Sequence, residues 1–213
     1  ISIRLRQSIG DLTLVRIEIR MSQEAIEIIR GEHRSLAAVL DAAAFLLGHL
    51  RDGRADPDFK LLHAIVQYIE EFPERLHHPK EDQYLFARLK SRTHDADELI
   101  DRLEREHRGG ESRMAELKQA LAEFEGGSPG AADAFLRRLA TYTEFNRKHM
   151  MTEERELIPM AEKHLLPEDW NEIAFAFREN RDPMFAAQGP SEFRQLFHTI
   201  VNLMPSPLGL GRP

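Results

Sequence analysis

His77-His78-Pro79-Lys80-Glu81 sets a histidine and a carboxylate four residues apart. On a helix that spacing puts both on one face. The spacing recurs at His149-Met150-Met151-Thr152-Glu153 and at His107-Arg108-Gly109-Gly110-Glu111. A fourth histidine, His33, sits alone on an apolar stripe of helical period. Four helices that each point a histidine inward at one level would form a metal site. The chain therefore has to be read for helices and for level.

Working outward from that stretch, Leu62, Val66, Ile69 and Leu76 mark the inner face of a helix over about 57–90. Pro73 and Pro79 fall inside it. Each lacks an N–H and crowds the carbonyl four residues back, which predicts a kink or bulge near His77, or a break into two helices. The preceding helix, about 23–51, has the seam Ile26, Ile29, His33, Leu36, Leu40, Ala43, Leu47 and Leu50. It ends at Asp52-Gly53, and Asp56-Pro57 opens the next. A third helix, about 95–125, has the seam Ile100, Leu103, His107, Gly110, Met114, Leu117, Leu121 and Phe124. Its Gly109-Gly110 pair costs roughly 1 kcal/mol per glycine relative to Ala, a cost that close approach of a neighbouring helix or ligand would justify. Gly126-Gly127-Ser128-Pro129 reads as a stop followed by an N-cap serine and a first-turn proline. The fourth helix runs to about Glu156, with Phe135, Leu139, Tyr142, His149, Glu153 and Met160 inward, and Pro159 kinks or ends it.

The flanks differ. Ile1, Ile3, Leu5, Leu12, Leu14, Ile17 and Ile19 alternate with polar residues around Gly10-Asp11. Residues 1–21 thus read as a hairpin or a leader segment, with Ser22 as the N-cap of the first helix. Two further helices are expected beyond the bundle, from Leu166 to about Glu179 and over about 191–204. Their Trp170, Phe175, Phe177, Phe193 and Phe197 either cover the bundle or form a dimer surface. The expected architecture is all-α: an antiparallel up-down-up-down four-helix bundle over 22–165, two additional C-terminal helices within 166–213, and an N-terminal extension.

Short loops make successive helices antiparallel neighbours, so residues equally far from a loop lie at one level. His33 is about 20 residues before Gly53, and His77–Glu81 begins about 21 after Asp56. That stretch is about 11–15 residues before Arg92, and His107 is about 14 after it. His107 is about 20 before Gly127, and His149 about 20 after Pro129. At about 1.5 Å per residue these agree to roughly a turn. Four buried histidines and at least two carboxylates at one level need partners, and metal ions supply them. Mixed imidazole and carboxylate donors suit iron, manganese or zinc, in numbers sufficient for two ions.

Composition narrows the alternatives. The 213-residue chain has ten histidines and a net charge of −7, which argues against a nucleic-acid or anionic-membrane surface. No apolar run approaches the ~20 residues of a membrane span. With no cysteine there is neither disulfide nor thiolate ligand. That fits a reducing compartment, and a cytoplasmic location is the expectation.

Glu32-His33, His77-xxx-Glu81, Glu106-His107 and His149-xxx-Glu153, in that order, resemble the hemerythrin-like (HHE cation-binding) family over roughly Ser22–Met160. The resemblance implies a four-helix bundle around a non-haem di-iron centre. Glu81 and Glu153 would bridge the irons, with His33, His77, His107 and His149 as terminal ligands. Oxygen-carrying members have a second histidine four residues after the first in the third helix, where this chain has Glu111. They also have an aspartate five residues after the last histidine, where this chain has Glu153 at four and Glu154 at five. Both departures argue against simple reversible oxygen carriage. Glu111 is either a replacement ligand or a solvated flank residue. His78 is a ligand, a donor to a ligand, or exposed.

Three functions follow as expectations. The first is a di-iron protein that binds or senses oxygen, nitric oxide, peroxide or iron, its partner being a small diatomic ligand or peroxide. The second is a ferritin-like di-iron oxidase using Glu74-x-x-His77 and Glu104-x-x-His107. The third is an interaction module around a structural metal such as zinc, working through its C-terminal helices, with a homodimer as one outcome.

Overall fold

The computed structural model describes residues 2–53, 56–179, 200 and 202, with side chains from Ser22 onward. Among the described residues there are five helices and no strand: α1 (Ser2–Arg51), α2 (residues 59–92), α3 (97–125), α4 (131–164) and α5 (Pro167–Arg178). None is long and apolar enough to cross a membrane.

The N-terminal hairpin expectation is overturned, because α1 begins at Ser2 and Ser22 lies inside it. The segment carries both periods. Leu5, Ile9, Leu12, Val15 and Ile19 also follow three-to-four spacing. Extending an existing helix needs no new nucleus, so the helical period wins. The second expected C-terminal helix, over 191–204, lies outside the described residues.

Most boundaries follow local chemistry. Gly53, at φ 63°, ends α1 in the left-handed region that glycine occupies freely. Asp58 caps α2, its side chain accepting from the Leu61 N–H at 3.1 Å. At the start of α4 the expected Ser128 cap is displaced: Gly130, at φ 74°, precedes Ala131, and Ser128-Pro129 stays in the turn.

The internal prolines do not break α2 or α4. The helix widens to π pitch instead, over Glu70–His77 and Glu81–Phe86 in α2 and over Glu153–Leu157 in α4. Two of these wide turns end two residues before a proline, Pro79 and Pro159. The His78 N–H reaches back five residues to the Pro73 carbonyl, and the Ile158 N–H to that of Glu153. Widening relieves the clash between the proline ring and the carbonyl behind it, so α4 continues to His164 rather than ending near Glu156.

Two apolar clusters fill the interior. One gathers Leu36–Leu47 of α1, Leu61–Phe72 of α2, Met114–Leu121 of α3 and Phe135–Tyr142 of α4. The other joins Ala25 and Ile29 of α1, Leu85 and Phe86 of α2, Ile100 and Leu103 of α3, and Leu157 of α4 with Trp170 and Phe177 of α5. In each of the first four helices the motif residues fall between the two clusters. Helix α1 touches α2, α4 and α5, while Gly110–Glu125 of α3 touches α2 and α4.

Candidate metal centre

Six of the seven residues expected to bind metal converge in the layer between the two cores. His33, His77, His107, His149, Glu81 and Glu153 are all buried. The imidazoles form two facing pairs, with His33 Nε2 3.1 Å from His77 Nε2 and His107 Nε2 2.9 Å from His149 Nε2. Each carboxylate spans both pairs. Glu81 Oε1 lies 3.3 Å from His77 Nε2, and Glu81 Oε2 lies 3.6 Å from His107 Nε2. Glu153 Oε2 is 3.4 Å from His33 Nε2, and Glu153 Oε1 is 3.1 Å from His149 Nε2.

The outer nitrogens explain why Nε2 points inward. His33 Nδ1 faces Glu154 at 3.0 Å, His77 Nδ1 faces Glu32 at 2.6 Å, His107 Nδ1 faces Asp82 at 2.8 Å and His149 Nδ1 faces Glu106 at 2.7 Å. A carboxylate only accepts, so each Nδ1 carries the proton and donates it. In a neutral imidazole that leaves a lone pair on Nε2. The acids are passed round the bundle: α1 supplies Glu32 to α2, α2 supplies Asp82 to α3, α3 supplies Glu106 to α4, and α4 supplies Glu154 to α1. Each acid stands next in sequence to a residue of the inner cluster. Sequence reading missed this outer ring as a feature, although its signal was there, an acid flanking each motif.

This interior fits cations. Both oxygens of Glu81 and both of Glu153 are buried without a hydrogen-bond partner among the described residues. Burying unpaired carboxylates costs several kcal/mol per ion, so the arrangement needs positive charge. Two nitrogens held at right angles on a metal with ~2.1 Å bonds lie about 3.0 Å apart. Both pairs have that separation. Without metal, protons supply the charge. Burial opposes a charge on His107 and His149. For His107, Asp82, Glu153 and Glu81 outweigh it and raise the pKa to about 9. For His149, Glu153 and Glu106 raise it to about 10. His33 and His77 are also raised against their burial, His77 the more strongly. Burial and Glu81 push Glu153 up, but His149 and His107 hold it down at about 2.

The quoted stretch serves this site residue by residue. His77 and Glu81 face the centre, Pro79 goes with the wide turn, and Lys80 Nζ donates to the Ala176 carbonyl in the last turn of α5 at 2.6 Å. His78 is buried too, its ring stacked on His107 with centroids 4.4 Å apart. Glu74 accepts from the Tyr142 hydroxyl at 2.6 Å. A Cβ at Gly110 would lie 1.9 Å from Glu74 Oε2, so the expected close approach at the glycine pair is the Glu74 carboxylate.

Glu111 does not join the cluster. Gly110 occupies the buried seam, and one residue further round the helix Glu111 is exposed. It lines a cleft of about 510 Å³ between α2 and α3 that reaches Glu74 and His107. Glu104, required by the ferritin-like pattern, is tied to Lys90 and Arg108 instead. His63 and His94 pair with nearby acids, and His49 with a backbone carbonyl. Of the C-terminal aromatics, Trp170 and Phe177 are buried and cover the bundle, while Phe175 is exposed. Phe193, Phe197 and His198 lie outside the described residues.

No curated protein and no solved structure matches the chain. The family model described as the hemerythrin HHE cation binding domain matches residues 24–161, a span that contains all four histidine motifs and both inner carboxylates. This chain belongs to the hemerythrin HHE cation-binding domain family.

Proposed function

We propose that the protein holds two iron ions and uses them to bind or sense a small ligand: oxygen, nitric oxide, peroxide, or iron itself. The observation that carries this is the pairing of four inward Nε2 atoms at 3.1 and 2.9 Å with four carboxylate oxygens that have no hydrogen-bond partner among the described residues and span both pairs. One position is framed by His33 and His77, the other by His107 and His149, and Glu81 and Glu153 reach both. Bound iron would supply redox-active positions to which a diatomic ligand or peroxide can attach. The protein's own residues orient the imidazoles through the outer acids and flank the centre with two apolar cores. Neutral imidazoles outnumber the inner carboxylates, which keeps the cluster less negative and favours ligand binding over strong oxidation. The ferritin-like oxidase is disfavoured by the ion pairs that hold Glu104 away. The fold we assign is the antiparallel up-down-up-down bundle, supported by the neighbour relations of α1 to α4 and their short connections.

The test is metal content with an optical spectrum, on protein loaded with iron under anaerobic conditions and then exposed to air. About two irons per chain, with near-ultraviolet charge-transfer bands that appear on oxidation and vanish in His77→Ala, is the expected result. One zinc or manganese per chain and no spectral change would overturn it.

A further inference from the structure

Arg113 of α3 reaches His149 by two routes. The first runs through an aromatic ring. The guanidinium carbon stands 4.0 Å from the centre of the Phe145 ring. Phe145 lies one turn before His149 on α4, and the two rings are nearly parallel, 15° apart with centroids at 6.0 Å. The second runs through an acid. Arg113 Nη2 donates to the Glu106 carbonyl, and the Glu106 carboxylate accepts from His149 Nδ1 at 2.7 Å. A planar guanidinium can lie on a ring face and donate from its edge at once, which a compact ammonium cannot do. Room for it comes from Gly109, where α3 is interrupted between Asp97–Arg108 and Gly110–Glu125. A Cβ at Gly109 would collide with Arg113 Nη1 and stand 3.3 Å from its Cζ. The glycine pair therefore serves two side chains, Gly110 admitting the Glu74 carboxylate and Gly109 the Arg113 guanidinium. Arg113 belongs to neither apolar cluster and lines a cleft of about 230 Å³ between α3 and α4.

We propose that Arg113 is a positioning residue for the metal centre, pinning α3 to α4 at the level of His149 and so fixing the direction of that imidazole. The inference rests on the two-metal reading above. Glu106 is on α3 and His149 on α4, so the bond between them keeps its angle only while the two helices keep their offset. Arg113 sets that offset, because it is held on α3 at Glu106 and bears on α4 at Phe145. A metal–nitrogen bond is directional, and a group that fixes the plane of a ligating ring raises affinity without touching the ion.

Cobalt(II) loaded into the metal-free full chain, followed by visible absorption and by competition with a chelator, tests this. Arg113→Met, which keeps a long side chain and removes the guanidinium, should weaken cobalt binding about tenfold and shift the visible bands. Phe145→Leu should do the same to a smaller degree, and the double variant should lose less than the product of the two single losses. Arg113→Lys, which keeps the charge without the planar fork, should recover little of either. Should Arg113→Met fail to fold by circular dichroism, Phe145→Leu gives the same reading at lower amplitude. Unchanged affinity and bands in a folded variant, with only thermal stability lowered, would reduce Arg113 to a packing role and overturn the inference while leaving two-metal binding intact. Full recovery by Arg113→Lys would overturn it as well, since charge alone would then suffice. If wild type binds a single cobalt ion, the two-metal reading falls and the shifts on that ion still decide the role of Arg113; if it binds none, both fall.

Discussion

The His33–His77 pair and the His107–His149 pair are built to one plan and placed in different surroundings. Both face Nε2 atoms inward, both hold each Nδ1 on a carboxylate, and both draw on the same two inner glutamates. The first pair is covered by α5 on the His77 side, where the acid Glu32 is 3 % exposed, while the acid on His33, Glu154, is 38 % exposed. The second lies next to the cleft between α2 and α3, and its acids Asp82 and Glu106 are 35 % and 29 % exposed. Of the four outer acids only Glu32 is therefore shut away from water, and the other three are partly open to it. A bundle can repeat a ligand motif along its sequence and still make two chemically distinct positions, because the helices packed outside the motif decide what each half faces.

The largest expected effect removes what the halves share. Glu81→Ala deletes an oxygen from both positions, and iron content should drop from about two per chain to well below one, measured by elemental analysis after gel filtration. Loss of a single iron only would show that the halves do not share this carboxylate.

The outer acids sharpen the contrast. Removing an outer-shell partner costs about 10–100-fold in metal affinity. Glu32→Gln, at the buried acid, should fall at the upper end, and Glu106→Gln, where water can stand in, at the lower end. Competition with a chelator measures both, and equal losses would erase the distinction.

Proton competition gives a third test. Without metal, His107 and His149 are raised from the ordinary 6.5 to about 9 and about 10. A raised folded pKa adds stability that is full below 6.5 and disappears as pH climbs through 9 to 10. The metal-free protein should therefore lose thermal stability over that window. The loaded protein should keep it, since the metal has already displaced those protons, and metal binding at neutral pH should release protons into the buffer.

Gly110→Ala should do least. The new Cβ displaces the Glu74 carboxylate, the movable end of a side chain, and weakens its bond to Tyr142. The helix gains about 1 kcal/mol of propensity in exchange. Denaturant unfolding of metal-free protein should move by less than about 1 kcal/mol, the two terms offsetting each other.

Much of this was legible beforehand. The seams of α1, α3 and α4 are apolar at helical spacing with a histidine in register, and loop counting sets those histidines at one level. Two features resisted. Residues 1–21 carry both a strand and a helix period, and only continuity with α1 selects between them. Glu153 and Glu154 are neighbours with the same chemistry. The turn of the helix sends the first inward between both imidazole pairs and the second outward to His33.

The amino-acid order settled the all-α class of fold and set the four motif histidines at one level, because periodicity and loop length are local properties that a chain states outright. Packing settled the rest: which acid holds which histidine, that Glu111 faces the cleft while His78 turns inward, and that α5 closes one half of the centre. Those depend on distances between helices far apart in sequence, such as Glu154 and His33, 121 residues apart and 3.0 Å from atom to atom. No local pattern encodes such a distance.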